Sequence, residues 1–390
     1  MDNKIDDVLI SLGASRNVLL YGPPATGKTR LISELFQLLN NSLQSNRGIV
    51  LNPNEKVNPF TRPKTELAIP QPVKVIWTTF HQSYGYEDFV LGLRPEITSQ
   101  GTRLEPWAGL FLDAAIELKD PKSKYKSIVI FIDEINRGNA ARIFGEFMTF
   151  LDFDYREEGR TPLPIPLRQL KYKDGKSEKI RRQNGEEVEL EENFIFPKHI
   201  YIVSTMNSVD RAAIPIDSAL ARRFDRIEMR PNLNVLAHRW NLEKDNISVP
   251  DEENWETLNP FVVAYLLLDK LNITIASDLG TEFELGHGLL APITICEKES
   301  MEIQSEDEVW LKLAEIWDDV LFPQLEDRYS GRPEQLIELL SVDNAPFSGF
   351  YAWTLRKSIG KSVTARTLNP VRVSDFHVNE IKRSFRWLIR

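Results

Sequence analysis

The stretch Gly22-Pro-Pro-Ala-Thr-Gly-Lys-Thr29 matches the pattern G-x-x-x-x-G-K-[ST] at every fixed position. Glycine allows the backbone N–H groups of such a loop to wrap around phosphate oxygens. Lys28 would reach the β- and γ-phosphates, and the Thr29 hydroxyl would ligate Mg²⁺. We therefore predict a triphosphate site lined by Gly22, Pro23, Pro24, Ala25, Thr26, Gly27, Lys28, Thr29 and Arg30.

The residues around this loop predict a strand before it and a helix after it. Asn17–Tyr21 is a short apolar run, which is typical of a buried parallel strand. Apolar residues then recur at helical spacing from Lys28 to Leu39. A helix that begins here would direct the positive end of its dipole at a bound anion. Similar patterns predict strands at 73–79, 127–132 and 200–204, and helices at 108–118 and 140–151.

The alternation of strands and helices predicts an α/β fold, in which a parallel sheet carries helices on both faces. Between about 153 and 198, prolines and the dipeptides Asp-Gly and Asn-Gly interrupt the pattern, and such dipeptides favour hairpins. We expect a β-hairpin insertion there. After Pro231 helical spacing dominates. The expected domains are a lead-in at 1–16, a nucleotide-binding domain at 17–231, and a helical small domain with a C-terminal extension at 232–390.

Polar side chains follow two of the predicted strands. Asp133 and Glu134 come directly after the strand at 127–132. Asp133 would hold the Mg²⁺ shell, and Glu134 would orient or activate the attacking water. Because parallel strands end at the same edge of a sheet, this pair is expected beside the phosphate loop. Asn207 follows the strand at 200–204 and would contact the γ-phosphate or the water, although an asparagine after a strand is more often a turn residue.

The composition excludes several classes of protein. The 390 residues carry a net charge of -9, which argues against non-specific DNA binding by the whole surface. Cys296 is the single cysteine, so the chain has no internal disulfide, which fits a reducing, cytoplasmic environment. The first ten residues lack the basic and apolar regions of a signal peptide. No apolar run reaches the roughly 20 residues that a membrane helix needs, so we expect no membrane partner.

The order of the phosphate loop, Asp133-Glu134 and Asn207 resembles the AAA+ superfamily. Within it, the chain resembles the motor subunits of McrBC-type, modification-dependent restriction systems. Met206-Asn-Ser-Val-Asp-Arg211 is similar to that family's Met-Asn-Thr-Ala-Asp-Arg signature, with departures at Ser208 and Val209. Four further stretches resemble elements of the family: Thr79-Phe-His-Gln-Ser-Tyr-Gly-Tyr-Glu-Asp-Phe-Val-Leu-Gly-Leu-Arg-Pro95, Asp133-Glu-Ile-Asn-Arg-Gly-Asn139, Ala219-Leu-Ala-Arg-Arg-Phe224 and Phe283-Glu-Leu-Gly-His287.

The resemblance implies a hexameric ring that binds Mg²⁺ and GTP, rather than ATP, between neighbouring subunits. It also implies a McrC-like nuclease partner and translocation on DNA. Asn207 would be the first sensor, and Arg222 and Arg223 would act across the subunit interface, one of them as an arginine finger. Such an arginine can contribute about 10³–10⁵ in rate. The residues expected at a partner or subunit interface are Asn136, Arg137, Asp210 and Arg211.

Several alternatives stay open. Arg222 and Arg223 could instead cap a helix C-terminus, and His287 could sense nucleotide, although a lone histidine is more often structural. The motifs bind phosphate and Mg²⁺, so they do not distinguish GTP from ATP. An ATP-driven remodeller of the MoxR or dynein-like branch and a nucleotide-bound switch are rival functions, and the intact Glu134 argues against the switch.

One departure from the family concerns the N-terminus. Family members often carry a DNA-reading domain before the motor, and no such domain fits before Gly22. We therefore expect that the sequence is the motor part of a longer protein or that a separate protein reads the DNA.

Overall fold

A computed structural model describes residues 2–41, 69–98, 101–165, 167, 169–210, 214–243, 247–249, 259–293, 305–340, 351–357 and 364–389. The chain forms two compact units. The first comprises Met1–Tyr21 and Lys28–Glu228, and the second comprises Gly22–Gly27 and Met229–Arg390. We still propose, as the sequence predicts, that residues 17–231 and 232–390 are independent domains.

The first unit is built on a five-stranded sheet with the strand order β11-β1-β10-β5-β2. Its strands are β1 (Asn17–Gly22), β2 (Val73–Thr79), β5 (Ser127–Asp133), β10 (Ile200–Asn207) and β11 (Asp225–Glu228). The pairs β1–β11, β10–β5 and β2–β5 are parallel. This confirms the predicted parallel sheet. Strand β11 was not predicted, because three of its four residues are charged and it lies at the exposed edge of the sheet.

Helices cover both faces of this sheet. Ile128, Ile130 and Ile132 point to the face that packs against Phe111 and Phe144 in one continuous core. Side chains alternate between the two faces of a strand. The intervening Phe131 accordingly contacts the ring of Phe36 on the other face, with ring centroids 6.4 Å apart. The helices of this unit are α1 (Asp2–Ser15), α2 (Lys28–Asn41), α3 (Tyr86–Phe89), α4 (Leu110–Lys119), α5 (Ala140–Phe144) and α6 (Ser218–Ala221).

The single helix predicted at 140–151 is wrong. Helix α5 ends at Phe144, and a 3₁₀-helix runs from Gly145 to Leu151. Gly145 has a φ of 51°, a conformation that side chains disfavour. A Cβ atom there would also lie 2.9 Å from the ring of Tyr86. The chain therefore breaks its helix where a ring from α3 packs against the backbone.

A second, four-stranded sheet has the order β3-β4-β8-β9. Its strands are β3 (Leu91–Thr98), β4 (Gly101–Ala108), β8 (Ile180–Arg181) and β9 (Glu187–Val188), and β6 (Tyr172–Lys173) pairs separately with β7 (Lys176–Ser177). The predicted hairpin insertion is therefore confirmed. The β3–β4 hairpin was not predicted, although Leu91, Leu93 and Ile97 alternate in the way a strand requires.

A buried arginine joins this insertion to the first unit's core. The Arg182 guanidinium is buried and contacts the carboxylates of Asp113 at 2.9 Å and Glu117 at 2.5 Å, both on α4. Burial alone would raise the pKa of Glu117, but the hydrogen bond from Arg182 and the charge of Lys74 hold it below its usual value. Hydrogen bonds and opposite charges therefore take the place of water around these buried side chains.

The second unit is mainly helical, as predicted. Its helices are α7 (Leu233–Arg239), α8 (Pro260–Asp278), α9 (Glu306–Ile316), α10 (Phe322–Arg328), α11 (Pro333–Leu339) and α12 (Val378–Ile389). Strands β12 (Tyr351–Lys357) and β13 (Thr364–Pro370) form an antiparallel hairpin. Leu267 and Leu268 of α8, Trp310 of α9 and Phe385 of α12 meet in one buried core.

Helix α8 lies in the centre of that core. In the part of the chain that the structure describes, it is the one helix long and apolar enough to cross a membrane. However, its apolar sequence contains the polar Asn272. This side chain is buried and makes two hydrogen bonds with the backbone of Leu285. Val263, Leu267 and Leu271 are buried among other helices. These contacts are those of a core helix.

Candidate functional site

Lys28 is the first residue of α2 and lies buried in the first unit. Burial lowers the pKa of its ammonium group to about 8, and the carboxylates of Asp133 and Glu134 offset this effect only in part. A lysine so placed carries its charge at neutral pH and lies close to the two acids that the sequence singled out. Thr29 and Arg30 follow it on the exposed side of α2, where Arg30 pairs with Glu34 at 2.8 Å.

The phosphate loop itself belongs to the second unit. Gly22, Ala25 and Gly27 have positive φ angles of 149°, 61° and 89°. The Thr26 hydroxyl donates to the Pro23 carbonyl at 3.0 Å, which closes the loop on itself. A backbone with repeated left-handed residues is the kind that turns successive N–H groups toward one side, where an anion can bind.

Asp133 is the last residue of strand β5 and Glu134 follows it, and Thr205 of the neighbouring strand β10 bonds to both. The Thr205 hydroxyl donates to the Asp133 carboxylate at 2.5 Å and accepts from the Glu134 N–H at 2.9 Å. Glu134 adopts the left-handed conformation, with φ 53° and ψ 51°. A non-glycine residue in this region costs free energy, and such residues are enriched at functional sites. Thr205 therefore helps to hold Glu134 in an unusual conformation.

A network of polar side chains surrounds the Glu134 carboxylate. The Asn207 side-chain amide donates to one carboxylate oxygen at 3.3 Å. The Arg137 guanidinium pairs with the other oxygen and also with Asp210, at 3.0 Å. The buried Asn136 side chain donates to the Asn207 carbonyl at 3.0 Å. Four other residues singled out in the sequence thus lie around the Glu134 carboxylate.

The structure brings these predicted residues together in the first unit, but it places the arginine pair elsewhere. Arg222 and Arg223 precede β11, at the end of the sheet where the parallel strands begin. Glu134 lies where β5 ends. The two ends of a seven-residue strand such as β5 are roughly 20 Å apart. Arg211, the last residue of the predicted interface set, lies outside the described residues.

The two arginines differ in their surroundings. The Arg223 guanidinium donates to the Ala219 carbonyl at 2.6 Å, so it does cap helix α6, as the structural alternative predicted. Arg222 is exposed. It lines a cleft of about 280 Å³ together with Asp152, Asp154 and Arg160. Arg223 lines the same cleft but is half-buried, so Arg222 is the more exposed of the pair.

Sequence reasoning missed three residues that organise the first unit. Thr205 stands in an ordinary strand position, and nothing in its pattern marks its bridging role. Asn17 is fully buried and donates to the carbonyls of Leu151 at 2.7 Å and Arg223 at 3.0 Å. Arg156 is also fully buried and donates to the carbonyls of Phe150 and Ile200. Burial lowers the pKa of Arg156 to about 9, and the nearby charge of Arg16 adds to the effect.

Comparison with known proteins places this arrangement in a family. Residues 67–224 match the family model described as AAA domain (dynein-related subfamily). That range contains Asp133, Glu134 and Asn207 and begins after the phosphate loop.

Two curated proteins are similar in sequence to the chain. The Type IV methyl-directed restriction enzyme EcoKMcrB subunit of Escherichia coli (strain K12) is 31% identical over 235 residues, which are 60% of this chain and 39% of that protein. The Type II restriction enzyme BsuMI component YdiS of Bacillus subtilis (strain 168) is 28% identical over 238 residues, 55% of this chain and 57% of that protein. The chain therefore covers less than two thirds of either relative. Together with the fold and the acidic cluster, these matches identify an AAA domain at residues 67–224 and show that the chain is similar to the McrB-type subunits of restriction systems.

Proposed function

We propose that the chain hydrolyses a nucleoside triphosphate, with GTP preferred over ATP, and that this hydrolysis drives a restriction complex. The observation that carries the proposal is the position of Glu134 after β5, where Thr205 accepts from its backbone N–H and Asn207 and Arg137 contact its carboxylate. A carboxylate in this position serves as the base or orienter of an attacking water.

The roles of the individual residues follow from their chemistry. The backbone N–H groups of the loop, which Pro23 and Pro24 lack, bind the phosphates, and the Lys28 ammonium neutralises charge on the β- and γ-phosphates. Glu134 takes the proton of the water that attacks the γ-phosphorus, and Asn207 keeps that water and the carboxylate in line. The bond to the β–γ bridging oxygen breaks, and the products are the diphosphate and inorganic phosphate.

The donors available to a metal fit Mg²⁺. Among the described residues, no group of three or more His, Cys, Asp or Glu side chains is arranged for a metal. Mg²⁺ characteristically uses only one or two protein oxygens, with phosphate oxygens and water completing the shell. Asp133 and the Thr29 hydroxyl are oxygen donors of this kind. When bound, the ion would neutralise charge that develops on the phosphate oxygens.

We assign Arg222 as the arginine that acts in trans in a homo-hexameric ring. The pair lies at the opposite end of the sheet from Glu134, so it is remote from the acidic cluster of its own protomer. A guanidinium supplied by a neighbour would make hydrolysis depend on assembly. Asn136, Arg137, Asp210 and Arg211 are assigned to the interface with a McrC-like nuclease subunit, and DNA would pass through the complex.

Mixing of inactive variants tests the role in trans. Arg222→Ala and Glu134→Gln should each be inactive alone. A mixture should regain hydrolysis, because a Glu134→Gln subunit supplies Arg222 to the intact carboxylate of its Arg222→Ala neighbour. Arg223→Ala serves as the comparison. If Arg222→Ala hydrolyses at the full rate alone, the role in trans is wrong.

A second function is favoured by one observation. The matched family model is the dynein-related one, which would suit an ATP-driven remodeller of proteins. Competition binding with GTP and ATP distinguishes the two functions, because a preference for ATP would favour the remodeller.

A further inference from the structure

A tight turn of the second unit packs directly against the phosphate loop of the same unit. The Gly288 N–H donates to the Ala25 carbonyl at 2.8 Å. A Cβ atom on Gly288 would lie 2.8 Å from that carbonyl oxygen. A Cβ atom on Gly286 would come closer than 3.0 Å to the backbone of both Pro24 and Ala25, a distance that real Cβ atoms essentially never show. Both positions therefore require glycine if the loop is to keep its place.

Hydrogen bonds and an ion pair within the second unit hold this turn in position. Asn272 of α8 donates to the Leu285 carbonyl at 2.9 Å and accepts from the Leu285 N–H at 2.6 Å. The buried Glu284 carboxylate pairs with Arg230 at 2.5 Å. The buried His287 ring accepts a hydrogen bond from the Asn232 N–H at 3.2 Å. The core of the unit thus fixes the position of residues 284–288, so the loop has to adapt to the turn.

The hydrogen bond from Gly288 sets the orientation of one peptide in the loop. Ala25 is left-handed, with a φ of 61°, which is unfavourable for a residue with a Cβ atom. In a planar trans peptide, the carbonyl and the following N–H point in opposite directions. Because the Ala25 carbonyl points at Gly288, the Thr26 N–H points away from the turn. A flipped peptide would present a carbonyl oxygen there, and an oxygen repels phosphate where an N–H would bind it.

We propose that Gly286 and Gly288 are positioning residues for triphosphate binding. They hold the peptide between Ala25 and Thr26 in the orientation in which its N–H group binds phosphate. This inference rests on the proposed function, since it assigns a further role at the same loop. It also gives His287 a structural role, because its ring nitrogen binds the backbone of Asn232 and orients the turn.

The test measures binding of a non-hydrolysable triphosphate with Mg²⁺ to the full chain and to Gly286→Ala and Gly288→Ala. The methyl group of Gly286→Ala must displace the loop backbone by something on the order of 1 Å, so we expect its affinity to fall about tenfold or more. Gly288→Ala should lose less affinity. In steady-state hydrolysis, KM should rise more than kcat falls, because the loop binds the ground state and the transition state alike.

Gly331→Ala is the matched control. Gly331 lies in a turn of the same unit with a φ of 82°, and a Cβ atom there would meet no other atom within 4 Å. Its substitution costs stability through backbone strain and leaves the loop untouched. We expect a lowered Tm with wild-type affinity. If Gly286→Ala does not fold, the affinity of Gly288→Ala is compared with those of the wild type and Gly331→Ala instead.

Two results separate the inference from the function on which it rests. If both glycine variants bind the triphosphate as tightly as the wild type, or if Gly331→Ala loses as much affinity at an equal loss of Tm, the positioning role is wrong. If the wild type and Lys28→Ala bind with the same affinity, the phosphate loop is not the binding site, and the proposed function falls together with the inference.

Discussion

At the scale of single residues, the charge of Lys28 makes nucleotide binding sensitive to pH. Burial lowers the pKa of its ammonium group to about 8. A bound triphosphate favours the charged form and so raises that pKa. Affinity should therefore stay level below about pH 8 and fall above it by up to about tenfold per pH unit, the slope for one linked proton.

Measurement of the triphosphate binding affinity at pH values from 7 to 9.5 checks this expectation. Lys28→Ala, which has no ammonium group to lose, provides the baseline. An affinity that stays constant to pH 9.5 in the wild type would show that Lys28 keeps its charge throughout and that burial does not lower its pKa in solution.

Thr205 is the second residue whose removal has a specific expected effect. Thr205→Val keeps the shape of the side chain and removes the hydroxyl that bridges Asp133 and the Glu134 N–H. Unsatisfied buried polar groups cost about 1–3 kcal/mol of stability. We also expect kcat to fall by about 10–10²-fold, because the carboxylate of Glu134 loses its fixed position. Thr205→Ser retains the hydroxyl and should behave as the wild type in both denaturant unfolding and hydrolysis.

The sequence identified most polar residues of the acidic cluster but not Thr205, which bridges two of them. Asp133, Glu134 and Asn207 were predicted because they are polar and follow apolar strands. Thr205 and Asn17 were not, because threonine and asparagine at strand positions have no distinctive pattern. Their roles depend on which strand lies beside which, and the order β1-β10-β5 is visible only in the folded chain.

At the scale of secondary structure elements, Arg182 joins the hairpin insertion to helix α4. Its guanidinium is buried between the carboxylates of Asp113 and Glu117. Removal of one partner leaves buried charge uncompensated, which typically costs about 3–5 kcal/mol. Arg182→Ala should lower the free energy of unfolding by about this amount, as measured by denaturant unfolding.

Arg160→Ala is the control for this prediction. The Arg160 side chain is 81% exposed and lies 3.6 Å from Asp154. Exposed ion pairs contribute at most about 1 kcal/mol. Equal losses of stability in the two variants would mean that the Arg182 cluster is solvated and does not join the insertion to α4.

The elements that sequence reasoning predicted best are the strands of the central sheet. A strand that is buried on both faces is a continuous apolar run, and such runs mark 127–132 and 200–204 unambiguously. Strands β3 and β4 were not predicted in this way, because exposed charged residues such as Arg94 and Arg103 lie between their apolar residues. Strand β11 was not predicted either, because an edge strand needs little apolar surface and so has no continuous apolar run.

At the scale of the whole molecule, the proposed role of Arg222 requires assembly. Gel filtration with light scattering should show a larger species when Mg²⁺ and a non-hydrolysable triphosphate are added to the full chain. Lys28→Ala, which should bind the nucleotide much more weakly, should stay at the size of the apo protein at the same nucleotide concentration. A wild-type protein that remains monomeric with saturating nucleotide would contradict the ring.

Steady-state hydrolysis of GTP and ATP by the wild type and Glu134→Gln, measured side by side with Mg²⁺, tests whether the Glu134 carboxylate carries the reaction. We predict that the wild type hydrolyses GTP faster than ATP. We also predict that Glu134→Gln binds the triphosphate with wild-type affinity while its kcat falls by about 10²-fold or more, the lower range for loss of a general base. Equal rates for the two proteins would contradict the claim that the carboxylate at the end of β5 carries the reaction.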